Sequence, residues 1–309
     1  MLATKELLIF KTIVEVESFT GAGRRLSLSQ SAISQHMRAL ERQVGRPLLS
    51  RVGHRVRLTP AGEVLLGCAE QVLGKIDEAQ RALAEDGEGR GGVLRMGTSG
   101  AACHHLLPRV LKEFRDRFPK LALQVTSGHS RLTVTRIVSR ELDLGLITLP
   151  VEAKRLRITQ LGRDELIAIV PPLHPWAGRR RVQAGAFVGQ PLVLYERHGN
   201  TTDLILRFLL EEGVFPRVAM EIDHLEAMKE MVRIGLGVAI VPQWAVRKEL
   251  TDGVLAPVTL GKTGLSRAWG LAYLEHPQQP ATLKAFVRLC LERLPSLLSA
   301  SRAPKPAAG

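Results

Sequence analysis

The sequence has few cysteines and no long apolar run, and these absences narrow the classes of protein to which it can belong. Its three cysteines are Cys68, Cys103 and Cys290, which lie far apart and show no CxxC spacing. This pattern suits a reducing compartment and argues against a disulfide framework or a zinc site. No stretch approaches the roughly 18 consecutive apolar residues of a membrane span, and the first residues predict an amphipathic helix rather than an export signal. We therefore expect a cytoplasmic protein without a metal centre.

Motifs of the common enzyme classes are absent as well. The sequence contains no HExxH, no GxSxG, no phosphate-binding Walker loop and no GxGxxG between a strand and a helix. Cys103 precedes His104 and His105, but adjacent residues of a helix point in different directions, so adjacency does not make a pair of nucleophile and base. The chain is accordingly not expected to be an enzyme or to need a cofactor.

Basic residues are what the sequence has in excess. Lys and Arg number 43 against 30 Asp and Glu, for a net charge of +13, and residues 1–60 hold ten of the basic residues against four Glu. About half of the net charge therefore lies in the first fifth of the chain, a distribution typical of a nucleic-acid-binding domain. With 309 residues and 45% hydrophobic content, the chain is long enough for two or three domains.

The segment 20–41 predicts two short helices that meet at a tight turn, the helix-turn-helix arrangement. Apolar residues recur at helical spacing on one face of its second helix, at Ile33, Met37, Leu40 and Val44. The opposite face is short and polar, and its side chains are Gln30, Ser31, Ser34, Gln35 and Arg38. Such groups suit base edges and phosphates in a DNA major groove, although an ordinary helical hairpin with a solvated face would show the same pattern.

Residues that flank this hairpin favour the DNA-binding interpretation. Arginines surround a turn at residues 52–54, which predicts a two-stranded wing, and they are Arg46, Arg51, Arg55 and Arg57. Guanidinium groups at such a turn can enter the minor groove or clamp phosphates. Thr20 is expected to cap the first helix of the hairpin and to touch a phosphate.

A long helix is predicted to begin at Thr59-Pro60, because a Thr cap followed by proline is a strong helix-start signal. Apolar residues recur along it at heptad spacing, at Leu65, Ala69, Val72, Ile76, Ala79 and Leu83. Such a stripe favours a dimer seam, which would let two helix-turn-helix heads read paired half-sites. Packing of the helix into its own domain would explain the same stripe nearly as well. Glycine-rich residues 86–92 then mark a domain boundary.

Beyond this linker, strands and helices alternate, which predicts parallel sheets covered by helices. Strands are expected at 93–96, 121–125, 142–147, 166–170, 192–195 and 238–241, with helices at 101–118, 130–141, 203–212 and 225–234. An interruption near 161–164 and a returning strand at 269–273 indicate two small lobes, the shape of a hinged solute-binding domain. We expect lobe I to comprise about 93–162 and 267–300, and lobe II about 163–266.

A ligand of such a fold lies beyond the carboxyl ends of the strands, near helix N-termini. Small residues fall at these ends, and the candidate effector contacts are Thr98, Ser99, Thr126, Gly128, Thr148, Asn200, Thr201 and Thr202. Most of these residue types also commonly cap helices or stabilise turns. The functional interpretation therefore depends on whether they converge at one cleft. Two helix N-termini that face one cleft favour a small anion, such as a carboxylate or a phosphate. Aromatic residues form only 4% of the chain, so stacking on a planar apolar ligand is less well supported.

Taken together, these features resemble the LysR-type family of transcriptional regulators. The resemblance is carried by Ser18-Phe19-Thr20, Ala22, Leu26, Ser29-Gln30-Ser31-Ala32-Ile33-Ser34, Leu40-Glu41, Val44-Gly45, Pro47-Leu48 and Arg55-Val56-Arg57-Leu58-Thr59-Pro60-Ala61-Gly62. Three positions depart from the usual pattern, because Glu17, Gly23 and Leu49 stand where Gly, Ala and Phe are commoner. Gly23 in a helix is expected to cost about 0.5–1 kcal/mol relative to Ala.

The resemblance implies an α/β protein with an N-terminal winged helix-turn-helix at 1–59 and a long linker helix at 60–88 that pairs between subunits. It further implies a two-lobed α/β, periplasmic-binding-protein-like effector domain at 89–300, with effector contacts near Ser99, Thr148 and 200–202. The implied partners are double-stranded promoter DNA, a small-molecule effector, RNA polymerase and further copies of the chain in a homodimer or homotetramer. A constitutive architectural DNA-binding protein is the alternative, although such a protein would not require a large two-lobed domain.

Overall fold

A computed structural model describes residues 3–52, 55–85, 92–153, 156–195, 199–276 and 279–299, and for residues 51, 52, 55, 77, 78 and 80–85 it describes the backbone alone. The tip of the expected wing turn and most of the expected linker at 86–92 therefore lie outside the described residues. The chain divides into two units, one made of residues 1–90 with 138–141 and the other of 91–137 with 142–309. In the described part of the chain, no helix combines the length and the apolar character that a membrane crossing needs.

The first unit packs helices against a two-stranded wing. Its elements, in chain order, are α1 (Thr4–Val16), α2 (Phe19–Leu26), α3 (Gln30–Val44), β1 (Leu49–Val52), β2 (Arg55–Leu58) and α4 (Pro60–Glu85). Their apolar faces meet in one core, whose buried members are Ile9, Phe10, Ile13, Ala22, Ile33, Met37, Leu40 and Leu48. The predicted apolar face of α3 is thus confirmed, because Ile33, Met37 and Leu40 lie in this core and Val44 packs against it.

Side-chain hydroxyls cap the starts of α2 and α4. Ser18 Oγ accepts a hydrogen bond from the N–H of Gly21 at 3.1 Å and so caps α2. The expectation that Thr20 caps this helix is wrong, because the helix already begins at Phe19 and Thr20 lies inside it as an exposed residue. Thr59 caps α4 as predicted, since its Oγ1 accepts from a backbone N–H in the first turn at 3.0 Å.

The wing is an antiparallel hairpin that is fixed to α3. Leu49 of β1 lies opposite Leu58 of β2. Glu41 of α3 supports the entry to the hairpin, since its Oε1 accepts from the N–H of Leu48 at 2.8 Å and from that of Leu49 at 3.3 Å. Hydrogen bonds from backbone N–H groups to a carboxylate are charge-assisted, so they hold the wing in a defined position beside α3.

Helix α4 buries the start of the predicted heptad stripe within its own chain. Leu65 packs against the core of the first unit, and Ala69 is fully buried. The prediction that Ala69 contacts a second subunit is therefore wrong, because this residue has no exposed surface, whereas the predicted contact of the half-buried Leu65 stays a prediction. Val72, a member of the predicted stripe, is 45% exposed, and Val64 is 72% exposed, so apolar side chains remain open along the helix.

The second unit alternates strands and helices around one sheet. Its strands are β3 (Val93–Thr98), β4 (Ala122–Ser127), β5 (Leu144–Leu149), β6 (Leu156–Val170), β7 (Arg181–Val182), β8 (Pro191–Tyr195), β9 (Arg217–Ile222), β10 (Val238–Pro242), β11 (Ala256–Leu260) and β12 (Leu265–Leu274). Its helices are α5 (Gly100–His105), α6 (Leu107–Arg117), α7 (Ser130–Val138), α8 (Asn200–Leu210), α9 (Leu225–Arg233), α10 (Arg247–Thr251) and α11 (Ala281–Ser299). The strand order is β4-β3-β5-β12-β6-β10-β8-β9, with β11 beside β6 and β7 beside β11.

Two long strands, β6 and β12, lie at the middle of this sheet and separate two lobes. Lobe I denotes β3–β5 with α5–α7, and lobe II denotes β8–β10 with α8 and α9. Strands within a lobe are parallel, since β3 pairs with β4 and β5, and β8 pairs with β9 and β10. The shared strands instead pair antiparallel, β12 with β5 and β6, and β6 with β10. The predicted two-lobed α/β architecture is confirmed, and the antiparallel middle is an addition to it.

Two elements of this unit differ from the sequence-based expectation. The single helix expected over 101–118 is two helices that meet at Leu106. Pro108 explains the break, because proline lacks the N–H that a continuous helix would bond to the carbonyl of His104. Strand β6 begins at Leu156, well before the expected 166–170, because its first half is covered on one face only and so lacks a continuous apolar run.

Candidate DNA-binding surface and effector cleft

The polar face of α3 is open to solvent on the side opposite the buried core. Gln30, Ser31, Gln35 and Arg38 are exposed and Ser34 is half-buried. Gln30 Nε2 donates to Ser34 Oγ at 3.0 Å, which aligns the amide along the helix. All five side chains predicted to read bases therefore share one surface, and their amide, hydroxyl and guanidinium groups match the donors and acceptors of a major groove.

The start of α3 uses a different hydroxyl for its cap. Ser29 Oγ accepts from the N–H of Ala32 at 3.1 Å and lies 2.8 Å from Ser31 Oγ. Ser31 is therefore engaged beside the cap, whereas Gln35 projects one turn further along. Thr20 of α2 remains an exposed hydroxyl, available for a contact outside the chain.

The wing supplies the basic part of this surface. Arg57 is exposed on β2, opposite Ser50 of β1. Arg51 and Arg55 lie on the same two strands, and their side chains fall outside the description. Their predicted contacts with DNA stay a prediction.

The exposed stripe of α4 is the candidate surface for a second copy of the chain. Val64, Cys68 and Val72 are exposed at four-residue spacing. Of the remaining predicted seam, Ile76 is half-buried and the side chain of Leu83 is not described.

Two residues predicted to contact an effector have structural roles instead. Thr98 is fully buried, and its hydroxyl donates to the carbonyl of Leu146 at 2.9 Å. Thr202 is also fully buried and donates to the carbonyl of Tyr195 at 3.2 Å. The prediction is wrong for these two hydroxyls, because each satisfies a backbone carbonyl and neither reaches solvent.

The other predicted residues of lobe I lie at the carboxyl ends of β3 and β4. Ser99 Oγ accepts from the N–H of Ala102 at 3.3 Å and caps α5. The N–H of Gly128 donates to the carbonyl of Thr98 at 2.8 Å, which ties the two strand ends together. Thr126 is exposed near the end of β4. These ends form the lobe I edge of the cleft.

Thr148 and Asn200 connect this edge to lobe II. Asn200 Nδ2 donates to the carbonyl of Thr148 at 2.8 Å and to that of Pro150 at 2.9 Å. The hydroxyl of Thr148 lies 2.9 Å from Ser130 Oγ, which also accepts from the N–H of Thr148 at 3.0 Å. The structure therefore brings the N-terminus of α8 to the end of β5.

A buried ion pair that the sequence reasoning did not single out reaches Thr201. Arg267 of β12 and Asp164 of β6 are both buried, with Nε–Oδ1 and Nη2–Oδ2 distances of 2.9 Å. Arg267 Nη1 also donates to Thr201 Oγ1, and Trp244 Nε1 donates to Asp164 Oδ2 at 2.6 Å. A guanidinium thus extends from the shared strands to the start of α8. Arg267 is the one charged residue of β12, but Asp164 lies between Arg163 and Glu165, so the sequence does not single it out.

A small cavity of about 70 Å³ lies between the lobes, beside α5 and the start of α9. Its lining residues are Gly100, Ala101, His104, Tyr195, Asp223, His224, Leu225 and Glu226. Carboxylates and imidazoles dominate its polar groups, so this cavity differs in character from the hydroxyl and amide cluster around Thr148 and Asn200.

The electrostatics beside this cavity centre on Glu226. His105 Nε2 lies 3.1 Å from Glu226 Oε1, and Lys229 Nζ lies 2.7 Å from Glu226 Oε2 and 2.6 Å from Glu249 Oε1. Burial lowers the pKa of His105 against the opposing hydrogen bond to Glu226, which favours the neutral imidazole. Burial acts to raise the pKa of Glu226, but the contacts with Lys229 and His105 outweigh it and lower that pKa. His104 and His105 are visible as a pair in the sequence. Their contact with Glu226 could not be predicted, because that residue lies 121 positions beyond His105 and in the other lobe.

Comparisons with known families cover both units. The family model described as "Bacterial regulatory helix-turn-helix protein, lysR family" matches residues 4–63, and that described as "LysR substrate binding domain" matches residues 87–295. A "Probable RuBisCO transcriptional regulator" from Thalassiosira pseudonana is 30% identical over 291 residues, covering 91% of this chain and 94% of that protein. The "HTH-type transcriptional activator CmpR" of Synechocystis is 26% identical over 279 residues, covering 90% and 91% of the two chains.

Solved structures share the fold over the whole length. A full-length OxyR variant from Pseudomonas aeruginosa superposes with a TM-score of 0.68 at 20% identity, covering 100% of this chain and 99% of that one. CbnR, described as a LysR family transcriptional regulator, superposes with a TM-score of 0.67 at 20% identity, covering 94% and 99%. At these identities the likeness concerns the fold alone.

Proposed function

The chain belongs to the LysR family of bacterial transcriptional regulators, and from this premise we propose that it reads paired promoter half-sites with α3 and responds to a small anionic effector held between its lobes. Membership of the family makes it a ligand-responsive, DNA-binding regulator. The observation that carries the proposal is the exposed polar face of α3, which lies directly opposite a fully buried apolar face. A solvated face of an ordinary helix would look similar, and it is the exposed arginine of the wing together with the family match over residues 4–63 that favours DNA reading.

In this proposal, the amide side chains of α3 recognise the DNA bases, and the arginines of the wing contribute affinity through the phosphates. Gln35 is exposed one turn from the start of the helix, where it can bond an adenine edge with both amide atoms. Arg57 is exposed on β2 and suits a phosphate, a contact that positions the protein without reading sequence. Replacing Gln35 is therefore expected to change which bases are preferred, whereas replacing Arg57 is expected to lower the affinity for every site.

The DNA-reading assignment is tested with Gln35→Ala and Arg57→Ala in a selection from randomised binding sites. Gln35→Ala should cost about 1–3 kcal/mol on the preferred site and change the base preference at one position. Arg57→Ala should weaken all sites alike and flatten the salt dependence of binding by roughly one unit of slope. An unchanged base preference for both Gln35→Ala and Gln30→Ala would rule out α3 as the reading helix.

The effector proposal is supported by the chemistry at the start of α8. The helix runs for 11 residues from Asn200, so its N-terminus carries partial positive charge. The buried guanidinium of Arg267 donates to Thr201 at the same place. Asn200 adds amide donors that face the end of β5. The oxygens of a small carboxylate or phosphate could accept the hydrogen bonds that Arg267 and Asn200 now donate within the chain. A cation has no acceptor for these donors.

Assembly and partners follow from how such a regulator has to work. Pairing through the exposed stripe of α4 would give a homodimer whose two heads meet two half-sites, and a tetramer would place two such pairs. Effector binding can alter DNA engagement only if it favours one arrangement of this oligomer over another. We further propose that the outcome is communicated to RNA polymerase at the promoter, in the cytoplasm, and that the chain itself catalyses no reaction.

A further inference from the structure

Two neighbouring histidines of lobe I and one glutamate of lobe II converge beside the small cavity between the lobes. His104 and His105 end helix α5, and Glu226 lies in the first turn of α9. One ligand atom from each of these three side chains lies within 4.8 Å of the other two. His105 Nε2 lies 3.1 Å from Glu226 Oε1. Three potential ligands of two chemical types therefore face one point.

The two adjacent histidines at the end of α5 lie close enough to act together. They are the last two residues of the helix, and their ring centroids lie 4.7 Å apart. His104 is exposed and so can turn toward a ligand, whereas His105 is half-buried between Glu226 and the ring of Trp244 at 5.8 Å. The cluster thus combines one adjustable ligand with two fixed ones.

We propose that His104, His105 and Glu226 form a binding site for a divalent transition-metal ion such as Zn²⁺ or Ni²⁺, which bridges the two lobes. Two imidazole nitrogens and one carboxylate oxygen are a ligand set that such ions favour, with a fourth position left for water or a further side chain. Ligand atoms at about 2.0–2.2 Å from a tetrahedral ion lie roughly 3.3–3.6 Å from one another. The pair at 3.1 Å is already near this spacing, and a rotation of the exposed His104 side chain would bring in the third ligand. Asp223 and His224 line the same cavity and are the nearest candidates for the fourth position.

The surroundings of the cluster fit a cation better than the effector anion proposed above. Lys229 holds Glu226 Oε2 at 2.7 Å, which fixes the carboxylate and leaves Oε1 directed at His105. A second carboxylate from Asp223 lies at the cavity wall. An anion there would meet two carboxylates, whereas a divalent cation would be attracted by them. The site is independent of the proposed effector and DNA contacts, because none of its ligands belongs to either set.

Metal binding is tested on the tag-free full-length chain by calorimetric titration with Zn²⁺ and Ni²⁺. We expect one saturable site per chain, and at a hundredfold excess over Kd a rise in Tm of roughly 5–10 °C, because a ligand bound by the native state alone stabilises it. His104→Gln and Glu226→Gln should each weaken binding at least about tenfold, since even the loss of an outer-shell partner of a metal ligand costs roughly 10–100-fold.

Two matched variants control for unspecific chelation. Glu230→Gln removes an exposed carboxylate one turn further along α9, and His276→Gln removes a histidine outside the cluster. Both should bind the metal as the parent does. His104 is exposed, so its replacement keeps the test valid even if Glu226→Gln disturbs the buried Lys229.

Three results would overturn the proposal. Absence of saturable binding below about millimolar metal would leave His105 and Glu226 as a plain hydrogen-bonded pair. If both cluster variants bound the metal as tightly as the parent, the metal would bind at other residues. Weakening by His104→Gln alone, with a well-folded Glu226→Gln unaffected, would confine the metal to lobe I and remove the bridge. DNA binding enters none of these measurements, so their failure would leave the proposed regulatory function untouched.

Discussion

Gly23 illustrates how a single residue can be misjudged from helix propensity. It lies in α2, where Ala would ordinarily be favoured by about 0.5–1 kcal/mol. A Cβ atom at this position would lie 2.7 Å from the carbonyl oxygen of Leu28, a backbone atom that cannot move without disturbing the turn before α3. The departure from the family pattern at this position is therefore suited to the close packing of this chain rather than a defect in it.

We predict that Gly23→Ala lowers the free energy of unfolding of the first unit by roughly 1–3 kcal/mol, because the added methyl group overpacks a tight contact. Gly67→Ala is the matched control, since a Cβ at Gly67 in α4 meets no described atom within 4 Å. That change should stabilise by about 0.5–1 kcal/mol through helix propensity. Urea unfolding of both variants checks the pair, and a stabilising Gly23→Ala would show that the turn relaxes freely.

The separation of contacting residues along the chain limits how much of the sites can be predicted from sequence. The reading face of α3 could be predicted because its polar and apolar residues alternate with the helical period within one segment. The pairing of His105 with Glu226 spans 121 residues, and that of Asp164 with Arg267 spans 103, so no local pattern announces them. Hydroxyls such as that of Thr98 were assigned to a ligand because sequence alone does not show which side of a strand end is buried.

At the scale of elements, α4 shows that one apolar stripe can serve two purposes. Its heptad spacing suggested a seam, yet Leu65 and Ala69 are used inside the chain. Spacing reports which residues share a face, but it does not report what covers that face. The exposed residues Val64, Cys68 and Val72 are the proposed surface for a second copy among the described side chains of α4.

We predict that Val72→Asp dissociates the oligomer without unfolding the chain, because a carboxylate would have to be desolvated against an apolar partner. Sedimentation should show a smaller species, while the melting temperature measured at low protein concentration stays near that of the parent. Leu65→Asp is the contrast, since it should lower the melting temperature by disturbing the core. Retention of the parent's mass by Val72→Asp would place the seam on another surface.

Cys68 offers an independent measurement of the same surface. In a Cys103→Ser background, a short bifunctional maleimide should link two chains through Cys68, which is exposed. Cys290 should not react, because burial raises the pKa of its thiol far above the ordinary value and shields it from reagent. Monomeric product after complete labelling of Cys68 would contradict a seam through the exposed stripe.

At the scale of the whole molecule, DNA reading and effector binding lie in different units. The residues of α3 belong to the first unit, and Thr201 and Arg267 belong to the second. Thr201→Ala removes a hydroxyl at the proposed effector site without touching a base-reading residue. The two functions should therefore be separable by substitution.

We predict that a thermal-shift screen of metabolites finds stabilising compounds among small carboxylates and phosphates rather than among cations or apolar neutral molecules. Thr201→Ala should weaken such a hit at least about tenfold while effector-free DNA affinity stays within about twofold of the parent. Thr126→Ala, an exposed change at the end of β4, tests whether lobe I contributes. A cationic or apolar hit with unchanged affinity in Thr201→Ala would show that the pocket chemistry is wrong.

The paired strands at the centre of the second unit restrict how its lobes can move. β6 and β12 stay in register from Leu265 opposite Leu166 to Leu274 opposite Leu156, with one irregularity at Trp269/Gly270. Sliding one strand past the other by a single residue would exchange its inward and outward side chains, so translation is strongly opposed. Rotation about the strand direction keeps the ladder intact and strains it gradually. A ligand between the lobes can therefore change the angle between them gradually, by twisting β6 and β12. It cannot shift one lobe along the strands relative to the other.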